Sequence, residues 1–323
     1  MAETFATLNE AGVGVTMPVD ALRSTLRRGV ENRLDKAAKA YLGDPMLAKI
    51  DFAEPQGEAA LVGPDSVSWR IFKNPVTLFV GGVAAVILEF AEPRVRTGVW
   101  DNTTFRTDPV RRLKRTGLAA MVTVYGAKSV AEKMIGNVNR MHDRVAGVTP
   151  DGSPYAASDP ELLRWVQATA AFGFMESYSA YAAPLSDEDR DRYYAEGRPA
   201  ALLYGANGSP RSLAEERALF EKMMPKLEAS EIIFEFLNIM KRAEAFPQPA
   251  QLAQHSLVRA AVDIVPKEIR EILGLTNRYG LRPFEGRVVR RMARRADRLI
   301  LRSSPAVRAC KRLGLPEDYL YRR

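Results

Sequence analysis

Between Asn74-Pro75 and Glu92-Pro93 runs VTLFVGGVAAVILEF, residues 76 to 90, broken only by Thr77 and Glu89. The stretch falls short of a membrane span, yet it is too uniformly apolar for a helix lying on a protein surface. Asn74 offers an N-cap oxygen and Pro75 a preset first helical residue, so the spacing predicts a helix over 75–91. A helix apolar on nearly every side must be buried all round, in the middle of a bundle. The rest of the chain therefore has to supply the helices that enclose it.

It has the signals to do so. Asp108-Pro109 repeats the cap-then-proline pattern, and Ser129, Ser158 and Ser212 are each followed three residues later by glutamate, the capping-box spacing. Helices are expected at about 19–42, 109–125, 130–146, 159–182, 186–197, 212–244, 255–275 and 284–302 besides 75–91. Alternating strand-like runs are scarce, and Pro150-Asp-Gly and Asn207-Gly read as turns between helices. Residues 1–18 and 54–66 read as loosely ordered. The expectation is an all-α fold: a flexible segment over 1–18, then one domain over 19–323. The chain's 323 residues suffice for a substantial core. One cysteine, Cys310, excludes an intrachain disulfide framework. Together with an N-terminus lacking a basic segment before an apolar core, it points to a soluble cytoplasmic protein.

Glu89 and Glu92 stand at the exit of the apolar helix, where a carboxylate near a core needs a partner or a proton. The nearest candidates are Arg94 and Arg96. Histidine is rarer still, with only His142 and His255 in the chain. On a helix over 130–146, Ala131, Ile135, Val138, His142 and Val145 form one apolar stripe, away from Lys133, Asn137 and Arg140. A histidine on such a stripe is either a satisfied core residue or a ligand.

Several chemistries lack their residues. There is no His-Glu-x-x-His, no Glu-x-x-His, no nucleophile elbow, no Walker A or dinucleotide glycine pattern, and no Cys-x-x-Cys-His. What one imidazole on an all-α scaffold permits is non-covalent haem, whose porphyrin supplies the other four nitrogens.

Two stretches carry a resemblance. TGVWDNTTFRTDPVRRLKRTGLAAMVTVYGAKSVAE (97–132) and NRMHDRVAGVTPDGSPYAASDPELLRWVQAT (139–169) resemble the DUF2236 or MpaB-like oxygenases, the family of the rubber oxygenases. The likeness covers about residues 65 to 320. It implies a globin-like all-α core that holds haem b and acts with dioxygen on an apolar alkene, prenyl or lipid-like substrate. It also implies that His142, in His142-Asp-Arg-Val145, is the proximal ligand to the haem iron. The family's distal Arg-x-x-Lys-Thr element is matched by Arg112, Arg115 and Thr116, with arginine where lysine would stand. Arginine stays protonated, so Arg115 cannot act as a base, but all three side chains can donate hydrogen bonds. Glu92-Pro93, Asn102-Thr103 and Gln167 replace histidine-containing pairs common among relatives.

The last 42 residues, from Arg282, carry thirteen basic against four acidic side chains, a net +9, while the remainder sums to −1. A helix over 284–302 sets Arg287, Arg291, Arg294, Arg298 and Arg302 beside an apolar stripe. That arrangement is either a core-packed helix with a solvated face or a peripheral contact with the inner membrane surface. No nucleic-acid motif accompanies the arginines. The alternatives to an oxygenase are a non-catalytic lipid-binding or membrane-peripheral protein on the same scaffold, and a haem sensor or peroxidase-like protein.

Overall fold

The computed structural model describes residues 50–246, 248 and 250–322, with Gly29 and the backbone of 5–8 and 15–18. The helix expected at 19–42 lies outside the described residues. Within the first eighteen, β1 (Phe5–Leu8) pairs antiparallel with β2 (Val15–Pro18). Thirteen α-helices then follow among the described residues, with almost no strand, and the fold is all-α.

The apolar helix is α2 (Pro75–Ala91), with the expected boundaries. Asn74 caps it, accepting from the Val76 and Thr77 amides at 3.1 and 3.2 Å. The same side chain donates to the Ala293 carbonyl at 2.9 Å, so one buried amide both starts α2 and fixes a distant helix to it. Along α2 runs α6 (Pro160–Tyr181), and this is the closest helix pair in the molecule. The approach depends on Gly81 and Gly173, whose backbones face each other where any side chain would intrude. Trp165 donates to the Leu88 carbonyl at 3.1 Å and Ser177 to that of Thr77 at 2.8 Å, so α6 is hydrogen-bonded to α2 near both ends. α9 (Glu231–Arg242), α10 (Gln254–Ile264) and α12 (Glu285–Ala296) also pack on α2. Twelve of its seventeen residues are buried.

α3 (Pro93–Asn102) turns sharply from α2, at 113°, after Glu92-Pro93. Proline forbids continuation of the preceding helix and sets up a new one capped by Glu92. Among the described residues no single helix is long and apolar enough to cross a membrane. α4 (Pro109–Tyr125) and α5 (Lys128–His142) form a helical hairpin. α4 leans on α1 (Val67–Phe72) and on α13 (Pro305–Arg312), and α5 on α7 (Asp187–Leu203). Neither runs closely along α2 or α6, so the hairpin stands off the central pair. Gly117 lies inside α4 with no heavy atom near the place of a Cβ. Gly117→Ala should raise stability by about 0.5–1 kcal/mol through helix propensity alone, measured by urea unfolding without cofactor.

Several boundaries differ from the periodicity. The helix expected over 130–146 ends at His142, and Ala146–Val148 (β3) pairs with Pro154–Ala156 (β4) instead. Pro150-Asp-Gly is therefore a hairpin turn, closed by Gly152 at φ 90° and by Thr149 bonding across to Ser153. The helix expected over 212–244 splits into α8 (Leu213–Met223) and α9, because Pro225 has no N–H to give and Ser230 caps a new start. Pro266 divides 255–275 in the same way into α10 and α11 (Lys267–Ile272). α12 stops at Ala296, six residues short of its expected end at 302.

Residues 54–66 form no helix or strand, but they are tied to the far end of the chain. Arg312, 1% exposed, donates to the Glu58 carbonyl at 2.8 Å and to that of Phe52 at 2.7 Å. Its own carbonyl accepts from the Gly57 amide at 2.8 Å.

Candidate functional site

Where the α4–α5 hairpin stands away from α2 and α6, side chains that should be sealed are only half-buried. On α2 these are Gly82, Val86 and Glu89, spaced four and three residues apart and hence on one face. On α5 the expected stripe is sealed at Ala131 and Ile135, then opens at Val138 and His142. Lys133, Asn137 and Arg140 face solvent as expected.

His142 is the last residue of α5, so the helix end rather than the helix middle presents its ring. The Nδ1 atom is buried and has no hydrogen-bond partner. Burial pushes the imidazole's pKa below its ordinary value, and the Arg112 charge pushes it the same way, against a smaller pull from Asp143. The ring is thus held neutral at pH 7, the form that ligates a metal. Among the described residues no three His, Cys, Asp or Glu side chains gather around a point. A lone imidazole suits a metal whose other ligands come from a macrocycle.

Arg112 comes from the first turn of α4, which Asp108 caps by accepting from the Arg111 amide at 3.1 Å. Its guanidinium stacks 5.5 Å from the centre of the Phe105 ring and donates through Nη1 to Thr116. The Thr116 hydroxyl in turn bonds to the Arg112 carbonyl at 3.0 Å. Nε of Arg112 is buried and unpartnered. Burial lowers the guanidinium's pKa, Glu89 opposes that, and neighbouring Arg115 adds to it. Arg115 and Thr116 are themselves exposed. Arg112 and Thr116 therefore form one hydrogen-bonded unit, within electrostatic reach of His142, while Arg115 extends it toward solvent.

Glu89 completes the group and was not expected there. It pairs with neither Arg94 nor Arg96. Glu92 takes Arg94 at 2.6 Å and caps α3 through the Val95 amide at 2.8 Å, while Arg96 binds Glu228. Glu89 instead lies within electrostatic reach of Arg112, and desolvation raises its carboxyl's pKa to about 7 despite that opposing charge. A carboxyl so poised can hold or release a proton at neutral pH. The sequence signal was the single acid in an otherwise apolar run.

The other positions that depart from relatives lie elsewhere or are occupied. Glu92 is 2% exposed and engaged as above. Asn102 donates to the Gly98 carbonyl at 3.1 Å, the Thr103 hydroxyl oxygen is buried and unpartnered, and Gln167 is half-buried.

The grouping fits haem. It offers a neutral imidazole with an unpartnered nitrogen, an arginine with an unpartnered N–H, and half-buried apolar faces on facing helices. A family model described as the catalytic domain of the ER-bound oxygenases mpaB and B′ and of rubber oxygenase matches residues 69–298, more than two thirds of the chain. Neither a curated protein nor a solved structure gives a significant match. The matched stretch contains α2, α4, α5 and α6 with Glu89, Arg112, Arg115, Thr116 and His142, and the chain belongs to the mpaB and rubber oxygenase catalytic-domain family.

Proposed function

We propose that this protein is a haem b-dependent oxygenase that uses dioxygen on an apolar alkene, prenyl or lipid-like substrate, with His142 as the proximal ligand to the iron. The observation that supports it most is the buried, unpartnered imidazole of His142 held neutral beside Arg112. Haem, when bound, supplies the iron centre at which dioxygen is activated.

The chain's own residues have distinct tasks. His142 holds the cofactor through one ring nitrogen. Arg112 keeps a fixed positive charge in a desolvated setting, where its N–H groups stabilise negative charge that develops nearby more strongly than water would. Thr116 fixes the orientation of that guanidinium, and Arg115 adds positive field from the surface. Glu89 holds or releases a proton at its carboxyl oxygen near neutral pH beside Arg112. The half-buried apolar side chains exclude water and receive the hydrocarbon. Titrating the purified chain with haem should give a Soret band that saturates at one equivalent. Absence of any band would end the haem reading.

Glu89 can be tested without turnover. Its folded pKa of about 7 lies above the ordinary 4.5, so the folded state holds the proton more tightly than the unfolded one. That stabilisation is complete below pH 4.5 and is lost as pH rises through 7. Glu89→Gln should therefore leave stability nearly unchanged at pH 5 and raise it by about 1–3 kcal/mol at pH 8 in the cofactor-free protein. Urea unfolding at the two pH values checks this; equal effects at both would mean that Glu89 is not desolvated.

A further inference from the structure

α12 carries two surfaces that do different things. Val289 and Ala293 are fully buried against the core, with Met292 and Ala296 beside them. At 100° per residue, the opposite side of the helix presents Arg294, Arg287, Arg291, Arg295 and Val288 within an arc of about 120°, and Phe284, just before the helix, stacks on Arg287 of that side. All six are exposed, Phe284 to 68% and Val288 to 48%. The amphipathic pattern is thus satisfied by the buried stripe, and the two large apolar side chains on the outer face are left over.

Phe284 is the more telling of the two. It sits at φ 71°, the only non-glycine residue with positive φ among the described residues. A left-handed backbone costs a bulky residue about 1–2 kcal/mol that glycine would avoid. Here a phenylalanine bears that strain and is exposed as well, with the Arg287 guanidinium stacked 4.6 Å from its ring centre. Leu252, 82% exposed, lies at the same end of the molecule, because Ser256 at the start of α10 donates to Glu285 at 3.1 Å.

The arginines of this face have no acidic partner among the described residues. The two carboxylates of the segment are turned inward. Glu285 accepts from Ser256 and from the Arg282 amide and lies 4.0 Å from Arg259. Asp297 is engaged by Lys73 at 3.3 Å and by Asn74 and Tyr178. Next to the face, burial depresses the Lys241 ammonium's pKa, and the charges of Arg259, Arg278 and Arg282 add to it.

Protruding apolar side chains set among uncompensated arginines complement a surface that is anionic at its rim and apolar just beneath. We propose that the outer face of α12 docks on an anionic lipid bilayer, with Phe284 and Val288 entering the interface and Arg287, Arg291, Arg294 and Arg295 contacting headgroup phosphates. Nucleic acid would satisfy the arginines but leave the two apolar side chains in water, and a second copy of the chain would set arginine against arginine.

The test is flotation of the full chain with unilamellar vesicles of phosphatidylcholine alone or with 30% phosphatidylglycerol (about that fraction suffices to charge the surface). Each arginine near an anionic surface is worth about fivefold in partitioning, so Arg291→Glu with Arg294→Glu should weaken binding to the anionic vesicles by at least about 25-fold. High salt should do the same. Phe284→Gly should weaken it by about tenfold while raising the melting temperature, because glycine accepts the left-handed backbone. That opposite movement of affinity and stability is what a merely structural phenylalanine would not show. Binding to neither vesicle, equal binding to both, or tighter binding to a DNA duplex that Phe284→Gly leaves unchanged would each overturn the proposal.

Discussion

Gly173→Ala is expected to lower stability by about 3 kcal/mol or more. A Cβ at Gly173 would strike the Gly81 carbonyl oxygen and come within 3.1 Å of the Ala85 amide nitrogen. A Cβ at Gly81 would meet the Gly173 carbonyl at 2.6 Å and the Phe174 Cα at 2.8 Å. All of these obstacles are helix backbone, so no rotamer change relieves them, and the two central helices would have to separate. Separation would also lengthen the hydrogen bonds from Trp165 and Ser177 into α2. Gly82, next along α2, meets only the edge of the Phe174 ring at 3.9 Å, so Gly82→Ala should be mild and serves as the control. Equilibrium unfolding of the three proteins decides it. Equal losses for Gly173→Ala and Gly82→Ala would show that α2 and α6 are not locked at that crossing.

His142→Ala should weaken haem binding by at least about 100-fold, read as loss of the Soret band in titration, and added imidazole should restore much of it. The same variant should be no less stable than the parent without haem. It removes a buried nitrogen that has no hydrogen bond, and such a group costs about 1–3 kcal/mol. The pH dependence separates this further. Burial and Arg112 hold the imidazole's pKa below 6.5 in the folded state, so the unfolded state takes up a proton first as pH falls. The cofactor-free parent should therefore lose stability on acidification below 6.5, and His142→Ala should lack that component. Haem affinity should fall only at still lower pH, where the folded imidazole itself takes up the proton, because imidazolium has no lone pair to offer. A variant that keeps the parent's Soret band unchanged would move the iron off His142. A variant that simply unfolds would return the residue to a structural role.

What could be read from the residues depended on how local the determinant was. α2 is legible to the residue because Asn74-Pro75 and Glu92-Pro93 mark both ends chemically, and the start of α4 because Asp108-Pro109 marks it in the same way. The end of α5 is not, because Val145 continues the apolar period although the chain has already turned into a hairpin. Pro225 and Pro266 sit inside patterns that look continuous, and there the missing N–H overrides periodicity. His142 stood out by rarity. Arg112, Arg115 and Thr116 came forward only through the family's pattern, since a run of basic residues on a helix is usually a solvated face. The surroundings of Glu89 are not legible locally because α4, more than twenty residues on, sets them. Glu92, three residues nearer to Arg94, was the better local partner.

The arginine that joins the two ends of the described chain bears on how the protein is made. Arg312 closes onto the carbonyls of Phe52 and Glu58, the latter 254 residues earlier. At about 5–20 residues per second, a ribosome needs about 13 to 50 s to add that many residues. During that interval the 52–58 segment has no Arg312 to meet, and α13 is not yet there to support α4. The central helices can associate as they emerge, but this seam closes only after residue 312 has been added. Nascent chains stalled before residue 312 should therefore be cleaved near residue 58 by added protease, while released chains resist.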